Sequence, residues 1–491
     1  MGICLSLPFP SLSSTDIPIA MANLTIRNLT AKPVVLQRVE RFEGEKVRTG
    51  SVLGNTVGTI TSFMNATNFI TKETVAKGES HTTEDVDVHI DPFTLCATEI
   101  LAAEGGGREV ARLRFEIEGH HYEVDAPSPS NRSTVMKKID DAPLELTAVY
   151  VPSGTFLAIM SSANLNAWMQ ELEDHFPLPL LSIPGTHNSP TCHTALPSVR
   201  CQAVSVREQL DNGVRFLDIR VSASQDNDDL ALVHSVFPIS LTGNKYFADM
   251  LSDIYAYLDA NPSETVLMSV KREGTGKGTD EQLSLYLRDR YVGRDADRWF
   301  VEPRIPHLGD CRGRIVLIRR FGIDESLHGE HDGRGWGIDA QNWPDNCEDG
   351  TVGGGLIRVQ DFYEIDQSTN IEKKIDFSRG QLERAAQQLF HLPGMPDFNP
   401  DAPPLPFFVN FLSASNFFNA TCWPERIAAK VNPAVIEYLC TSHGELGKGP
   451  NQLEVGDAAT GIIVTDWVGA HGDWDLIRCI VGMNSRLQLK H

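Results

Sequence analysis

Between residues 180 and 470, short apolar segments repeatedly end in a titratable or charged side chain. The first is LSIPGTHNS, residues 181–189, in which His187 follows a Pro-Gly turn. Seven of eight strand-like segments end this way, and the other residues at their ends are Asp218, Arg220, His234, Lys271, Glu273, Arg320, Asp361, Tyr363 and Asp466. One charge at a strand end usually marks the point where the strand meets water. Seven such ends are better explained by one shared polar pocket.

These residue types define a chemistry. Two histidines on separate strands can serve as general base and general acid, because imidazole titrates near neutral pH. Asp466 can orient one imidazole, and a cation can stabilise a phosphate that gains charge, as Arg220 and Lys271 would. Tyr363, Asp361, Glu273 and Arg320 offer groups suited to a sugar or polyol ring. Together these are the ingredients for metal-free cleavage of a phosphodiester by an internal hydroxyl.

The elements that would position these residues begin near residue 160, where strand-like and helix-like segments start to alternate. Eight strand candidates lie at 180–184, 213–219, 230–233, 265–270, 314–319, 356–360, 406–411 and 461–465. The clearest helix candidates between them lie at 246–259, 280–291, 371–389 and 424–440. This pattern predicts an α/β fold, a (β/α)8 TIM-like barrel with regular or irregular closure over residues 160–491. In such a barrel the carboxyl ends of the strands meet on one face, where active sites lie.

Residues 22–155 have a different pattern, with β-branched or alternating runs between Gly, Asn and Pro breaks. They predict a small antiparallel β-sandwich domain in front of the barrel. No catalytic set is evident there. His120 and His121 are adjacent, so on a strand they point to opposite faces and are not expected to bind one metal ion together.

Residues 1–21 predict a flexible N-terminal tail. Its first six residues, MGICLS, fit the N-myristoylation pattern at Gly2, and Cys4 is available for palmitoylation. Two acyl chains anchor a protein stably, whereas one does so weakly. This motif predicts a cytoplasmic, membrane-peripheral protein; an unmodified tail is the alternative. A secreted chain is the other alternative, because N-glycosylation sequons occur at Asn23, Asn28, Asn65, Asn131 and Asn419.

Composition excludes several classes of function. The 491-residue chain has a formal net charge of -22, which disfavours a nucleic-acid partner. No apolar run approaches the ~18 residues of a membrane-spanning helix. The nine cysteines contain no C-x-x-C pair, so neither a zinc ribbon nor a thioredoxin-like motif is present. Cys192 and Cys201 flank one loop, and the sequence leaves open whether they are bridged or reduced.

The ordered motifs of the second part resemble a known family. LSIPGTHNS, NGVRFLDIR, LVHS, NPSETVLMSVKRE, GRIVLIRRF, WPDN, VQDFYEID and IIVTDW resemble, in order and spacing, the X-type catalytic barrel of bacterial-like phosphatidylinositol-specific phospholipase C over residues 175–482. The resemblance implies cleavage of phosphatidylinositol, or of a glycosyl-phosphatidylinositol, to diacylglycerol and a cyclic inositol phosphate at a membrane surface. It implies that His187 is the base, supported by Asp466, and that His234 is the acid, supported by Asp218. Arg220 would bind phosphate without a metal cofactor, and the inositol ring would contact Lys271, Arg320, Asp361 and Tyr363.

One residue departs from the metal-independent pattern. Asn188 stands where those enzymes have aspartate, whereas the calcium-dependent branch of the family has asparagine as a ligand there. Arg220 stands where that branch has a carboxylate ligand, so the resemblance argues against calcium. Asn188 then contacts substrate or Arg220.

Two alternative functions remain: an inositol-lipid-binding module without catalysis, or a phosphodiesterase acting on another phospholipid. An apolar rim at 236–239, next to His234, is expected to contact the membrane; a buried loop is the alternative.

Overall fold

The computed structural model describes residues 22–49, 71–103, 107–129 and 132–490, which form three β-sheets. Two five-stranded sheets come from the N-terminal region, and a twelve-stranded sheet forms the barrel. Gly2 and Cys4 lie outside the described residues, as do the sequons at Asn65 and Asn131. Acylation therefore remains an expectation from the sequence.

The described part of the N-terminal region contains ten strands. They are β1 Asn23–Asn28, β2 Val34–Thr49, β3 Thr71–Ile90, β4 Leu95–Leu101, β5 Glu109–Ile117, β6 His120–Ala126, β7 Ser133–Val135, β8 Lys137–Lys138, β9 Leu146–Val151 and β10 Phe156–Ser161. One sheet has the order β4-β1-β10-β9-β7 and the other the order β3-β2-β5-β6-β8, with one apolar core between them. Because β10 pairs with both β1 and β9, this region extends to Ser161, past the expected boundary at 155.

The β9 and β10 strands are apolar throughout because both faces of their sheet are covered. Along β10, Leu157 and Ile159 face the core between the two sheets, whereas Phe156, Ala158 and Met160 pack against barrel helices. Strands buried on both faces read as continuous hydrophobic runs. The N-terminal region and the barrel therefore share an apolar interface.

A buried arginine joins the two parts at this interface. Arg27 of β1 is fully buried, and its guanidinium donates to the carbonyls of Cys440 at 3.1 Å and His443 at 2.6 Å, and to the Glu445 carboxylate at 2.9 Å. The first two carbonyls lie at the end of a barrel helix, where backbone acceptors lack partners and a cation is favoured. This contact holds β1 against the side of the barrel.

The barrel region contains twelve strands. They are β11 Ile183–Thr186, β12 Phe216–Ser222, β13 Ala231–His234, β14 Phe237–Pro238, β15 Val266–Arg272, β16 Trp299–Phe300, β17 Ile315–Arg320, β18 Ile338–Asp339, β19 Gly350–Val352, β20 Ile357–Gln360, β21 Phe407–Phe411 and β22 Ile462–Thr465. Parallel pairing runs in the order β18-β17-β15-β12-β11-β22-β21-β20. Eight parallel strands confirm an α/β barrel. Within the described residues no strand pairing joins β18 to β20, so its closure is irregular.

One of the eight strand candidates is not a barrel strand. The segment at 230–233 was expected to be the third parallel strand, but β13 pairs antiparallel with β12 and with β14. The connection at 223–230 explains this, because parallel neighbours need a crossover of about a dozen residues or more. The eighth position in the barrel is taken instead by β18, two residues long, from the Gly-rich segment after β17.

Within the described residues, eight α-helices accompany the strands. They are α1 Val206–Asp211, α2 Phe247–Ala260, α3 Asp280–Tyr286, α4 Leu308–Cys311, α5 Glu330–Gly333, α6 Ile371–Ala386, α7 Pro424–Thr441 and α8 Asp475–Gly482. The four helix candidates correspond to α2, α3, α6 and α7 within a few residues. None of the helices in the described part of the chain is long and apolar enough to span a bilayer.

Candidate active site

Two histidines face each other at the carboxyl ends of the strands. His187 is the first residue after β11, and His234 is the last residue of β13. Their ring centroids are 5.8 Å apart and the rings are nearly perpendicular. The hairpin β13–β14 folds back over the end of β12, so His234 reaches the barrel face although β13 is not a barrel strand.

Strand register places Asp466 beside His187. Thr186 of β11 is aligned with Thr465 of β22, so the residues that follow them are neighbours. His187 Nδ1 lies 2.9 Å from Asp466 Oδ1. Burial raises the pKa of Asp466, and the nearby His187 imidazole opposes that shift. With Nδ1 held by the carboxylate, Nε2 of His187 is the nitrogen left for a substrate.

His234 is held by a main-chain carbonyl. Its Nδ1 lies 2.8 Å from the oxygen of Val199, which can only accept, so Nδ1 donates and Nε2 is left for proton exchange. Burial lowers the pKa of His234 to about 4, and the charges of His187 and Arg220 add to the effect. The expected support of His234 by Asp218 is not met, because β13 turns back over the strand ends and brings the ring against the loop that contains Val199.

Asp218 instead belongs to an ionic network centred on Arg220. Residues 218 and 220 lie on the same face of β12, since side chains alternate along a strand. Arg220 lies 3.2 Å from Asp218 and 2.9 Å from Glu273, and Lys271 lies 2.8 Å from Glu273. Burial opposes the charge of Arg220, but the two carboxylates outweigh burial and raise its pKa. Arg220 is therefore a fixed, planar cation in the pocket.

The two carboxylates are ionised for the same reason. Burial would raise the pKa of each, but Arg220 and Arg320 hold the pKa of Asp218 well below its usual range. Arg220 and Lys271 outweigh burial at Glu273 and lower its pKa to about 2. Asp218 and Glu273 are thus both paired with cationic side chains.

Arg320 and Asp361 form one wall of the site together with Trp343. The Arg320 guanidinium lies 4.0 Å from the centroid of the Trp343 ring and 3.9 Å from Asp361 Oδ2. The indole Nε1 of Trp343 donates to the same Asp361 oxygen at 3.0 Å. A stacked, paired guanidinium has little rotational freedom, so this wall is rigid.

Tyr363 lies on the loop after β20, where it is hydrogen-bonded to the segment 343–346. Its hydroxyl donates to Asp345 at 2.7 Å, and its backbone N–H donates to Asn346 Oδ1 at 2.9 Å. The structure thus explains the WPDN segment as a brace for the loop after β20. Tyr363 and Trp343 are the aromatic faces next to the ionic network.

Asn188 is buried in the pocket with a left-handed backbone, φ 43°. Its backbone N–H donates to Asp218 Oδ2 at 3.2 Å, and its Nδ2 lies 3.4 Å from His187 Nε2. Its Oδ1 has no hydrogen-bond partner among the described residues. The neighbouring Asp218 Oδ2 also accepts from Arg220, at 3.2 Å.

The segment 199–202 contributes three groups that the sequence analysis did not assign. They are the carbonyl of Val199, the thiol of Cys201 3.6 Å from His234 Nδ1, and Gln202, whose Nε2 donates to the His187 carbonyl at 2.7 Å. A main-chain acceptor leaves no trace in side-chain patterns.

The disulfide that the sequence left open is not formed, since Cys192 and Cys201 are both free thiols. Burial raises the pKa of Cys201, so its thiol is protonated.

A buried lysine behind the site was also missed. Lys374 of α6 is fully buried and donates to Gln360 Oε1 at 3.0 Å and to the Phe362 carbonyl at 2.6 Å. Burial lowers its pKa to about 7, against the opposing charges of Asp361 and Asp466. It supports the loop after β20 from below.

Together, the fold and the site define a class: an α/β-barrel protein whose strand-end pocket combines an opposed imidazole pair with a fixed guanidinium. Residues 175–321 match the family described as phosphatidylinositol-specific phospholipase C, X domain.

Similar proteins agree with that match. The chain is 27% identical over 344 residues to 1-phosphatidylinositol phosphodiesterase of Staphylococcus aureus, covering 65% of this chain and 90% of that protein. It is 31% identical over 172 residues to the Listeria monocytogenes protein of the same name, covering 33% and 50%. A crystallised variant of phosphatidylinositol-specific phospholipase C from S. aureus matches with 25% identity and a TM-score of 0.50, over 65% of this chain and 96% of that one. These matches support a relationship between the barrel of this chain and the bacterial-like phosphatidylinositol-specific phospholipase C family.

Proposed function

We propose that this protein cleaves phosphatidylinositol, or its glycosylated form, into diacylglycerol and a cyclic inositol phosphate without a metal ion. The observation that carries the proposal is the imidazole pair, with ring centroids 5.8 Å apart and each Nδ1 held by its own partner. That arrangement leaves one Nε2 to take a proton and the other to give one, on two sides of a phosphate.

In the proposed reaction, Nε2 of His187 removes the proton of the inositol 2-hydroxyl. That oxygen attacks phosphorus and forms the cyclic diester, and the bond from phosphorus to the diacylglycerol oxygen breaks. His234 donates its Nε2 proton to the departing oxygen. Asp466 stabilises the imidazolium that forms at His187, and Arg220 neutralises the charge on the phosphate oxygens.

The low pKa of His234, about 4, is compatible with its role as the acid. Burial and neighbouring positive charges disfavour its protonation in the free protein. A bound phosphodiester adds a negative charge next to the ring, and an opposite charge at that distance raises the pKa of an imidazole. Substrate therefore brings the acid into its protonated state.

The proposed ring contacts follow from the same geometry. Lys271, Arg320 and Asp361 offer donors and acceptors to hydroxyl groups, and Trp343 and Tyr363 offer flat faces to the ring. Asn188 offers its unpartnered Oδ1 to a hydroxyl. Cytoplasmic location is likewise a proposal, which the free thiols of the described cysteines support.

The direct test is release of diacylglycerol from phosphatidylinositol vesicles in excess EDTA. We expect activity in EDTA, with no increase beyond twofold when calcium is restored, because Arg220 occupies the place a cation would take. The matched control is His187→Ala, assayed under both conditions. Activity that requires calcium would mean that Asn188 marks a metal site and that the metal-free mechanism is wrong.

Binding without catalysis is the second candidate, and Asn188 is the observation that favours it. Its Nδ2 lies 3.4 Å from the Nε2 that must accept the substrate proton, and it lacks the charge of aspartate. Vesicle binding without diacylglycerol release, with or without calcium, would support that function instead.

The face that carries the site also carries an apolar rim, formed by Val236, Phe237, Leu241, Phe417 and Phe418. The rings of Phe237 and Phe417 stack with centroids 5.3 Å apart, which joins the loops after β13 and β21. Phe418 is 95% exposed and Val236 is 55% exposed, whereas Ile239 is buried, so only part of the segment 236–239 faces outward. We propose that this rim enters the lipid surface around the substrate.

Replacing Phe418 with serine is expected to weaken binding to phosphatidylinositol vesicles by roughly tenfold, because burying a phenylalanine contributes about 1.5–3 kcal/mol. Sedimentation with vesicles measures the effect. Leu446→Ser is the matched control, since Leu446 is 72% exposed beyond the far end of α7, away from the strand-end face. Equal binding by the two variants would exclude the rim as the docking surface.

A further inference from the structure

Cys201 lies inside the catalytic pocket, yet the proposed reaction gives it no task. Its side chain is fully buried, with Sγ 3.6 Å from His234 Nδ1. Its backbone is fixed on both sides, since its N–H donates to Thr191 Oγ1 at 3.1 Å and its carbonyl accepts from Trp467 N at 2.8 Å. The thiol is therefore held in place beside the histidine pair.

The three side chains of His187, Cys201 and His234 have the spacing of a metal site. One nitrogen of each histidine and the sulfur of Cys201 all lie within 4.8 Å of one another. Tetrahedral zinc holds imidazole nitrogen at about 2.0–2.1 Å and thiolate sulfur at about 2.3 Å, which places neighbouring ligand atoms about 3.3–3.6 Å apart. Because Cys201 Sγ now lies next to Nδ1 of His234, rotation of these two side chains is needed to bring the sulfur and Nε2 around one ion.

The chemistry of the three groups selects a particular kind of ion. Imidazole and thiolate are ligands of zinc and similar transition metals, whereas calcium and magnesium prefer oxygen. Zinc-binding histidines characteristically donate their second ring N–H to a carboxylate or a carbonyl. His187 has Asp466 in that position, and His234 has the Val199 carbonyl.

We propose that His187, Cys201 and His234 form a Zn²⁺ site whose occupation switches the enzyme off. Binding forms one bond from zinc to the sulfur and one to each histidine, and the thiol proton leaves to solvent. A fourth position faces the pocket and takes water. Because the imidazole lone pairs are then shared with the metal, neither ring exchanges a proton with substrate. The inhibitory effect rests on the proposed function; the metal site itself does not.

Cobalt(II) tests the site without reference to activity. Added to the EDTA-treated, dialysed full-length protein, Co²⁺ is expected to give a thiolate-to-cobalt charge-transfer band in the near ultraviolet and the strong visible bands of tetrahedral coordination. Cys201→Ser and Cys201→Ala should both lose the charge-transfer band. Cys192→Ser is the matched control, because Cys192 is a free thiol on the same loop, and it should keep the band.

Inhibition by added zinc tests whether occupation of the site switches the enzyme off. Each variant is compared with its own metal-free rate of diacylglycerol release, and the zinc concentration for half inhibition should rise more than about 100-fold in Cys201→Ser. Even the loss of an outer partner of a zinc ligand costs about 10- to 100-fold in affinity. In Cys192→Ser the zinc concentration for half inhibition should not change.

The outcomes separate the two proposals. If the unmodified protein releases no diacylglycerol but shows the cobalt–thiolate band, the metal site stands and the proposed function fails. If it releases diacylglycerol but the cobalt spectrum of Cys201→Ser equals that of the unmodified protein, the metal site is overturned alone.

Discussion

Replacing His234 with alanine is expected to lower phosphatidylinositol cleavage by roughly 10²- to 10⁴-fold, the usual contribution of a positioned proton donor. The loss should depend on the leaving group. Diacylglycerol leaves as a poor, strongly basic alkoxide unless it receives a proton, and His234 is the side chain whose free Nε2 can supply one. An inositol phosphodiester with a nitrophenolate leaving group needs no proton, so His234→Ala should cleave it at a rate close to that of the unmodified protein.

His187→Ala is the matched variant, because the base is needed whatever group departs. Its rate of cleavage should fall roughly 10²- to 10⁴-fold on both substrates, since Nε2 of His187 is the proposed acceptor of the 2-hydroxyl proton. The measurement is the steady-state rate of each variant on each substrate, compared with the rate of the unmodified protein on the same substrate. Equal losses for His234→Ala on both substrates would contradict its role as the acid.

The pH dependence adds an independent readout. The acid must carry its proton, so the rate falls as pH rises through the apparent pKa at which the acid loses that proton. The two imidazoles interact, so the apparent values belong to the pair. His234→Ala acting on the nitrophenyl substrate should therefore lose the decline of kcat at high pH, because kcat reports the substrate complex, in which the bound phosphodiester raises the pKa of His234.

Much of the site follows from one rule that can be applied to the sequence. Polar residues at the ends of parallel strands meet on one face, and this brings His187, Asp218, Arg220 and Asp466 together although 279 residues separate the first from the last. Asp466 can be paired with His187 in the same way, because adjacent parallel strands place the residues after them side by side.

The remaining details depend on contacts that leave no sequence signal. His234 comes from a hairpin, and its partner is the Val199 carbonyl, which any residue at that position would supply. The two-residue strand β18 is too short to give a periodicity, and its identity follows only from its pairing with β17. Cys201 approaches His234 because its loop folds under the hairpin, which spacing alone does not predict.

The interface between the two parts shows the same contrast. The continuous apolar runs of β9 and β10 indicate burial on both faces, but they do not say what covers the second face. Nothing in the sequence around Arg27 indicates that this residue is buried. Its burial makes sense only when α7 ends against it and presents unpaired carbonyls.

Arg220→Gln is expected to lower kcat by roughly 10²- to 10³-fold, the range for removing a group that stabilises developing charge in an enclosed site. Negative charge on the phosphate oxygens grows toward the transition state, so kcat should fall more than KM rises. Arg220→Lys keeps the charge but loses the planar fork that pairs with both Asp218 and Glu273. Its kcat should lie between those of Arg220→Gln and the unmodified protein.

The control for Arg220 is Arg272→Gln. Arg272 lies on the adjacent strand β15 and is paired with Asp280, so the variant removes the same charge near the barrel face without touching the ionic network of the site. Thermal unfolding of both variants separates lost catalysis from lost folding, because Arg220→Gln leaves Asp218 with Arg320 and Glu273 with Lys271 as remaining partners. If the two variants lose activity equally, general surface charge explains the effect. If only Arg220→Gln loses activity, and calcium does not restore it, the guanidinium itself does the work that a metal ion would otherwise do at this phosphate.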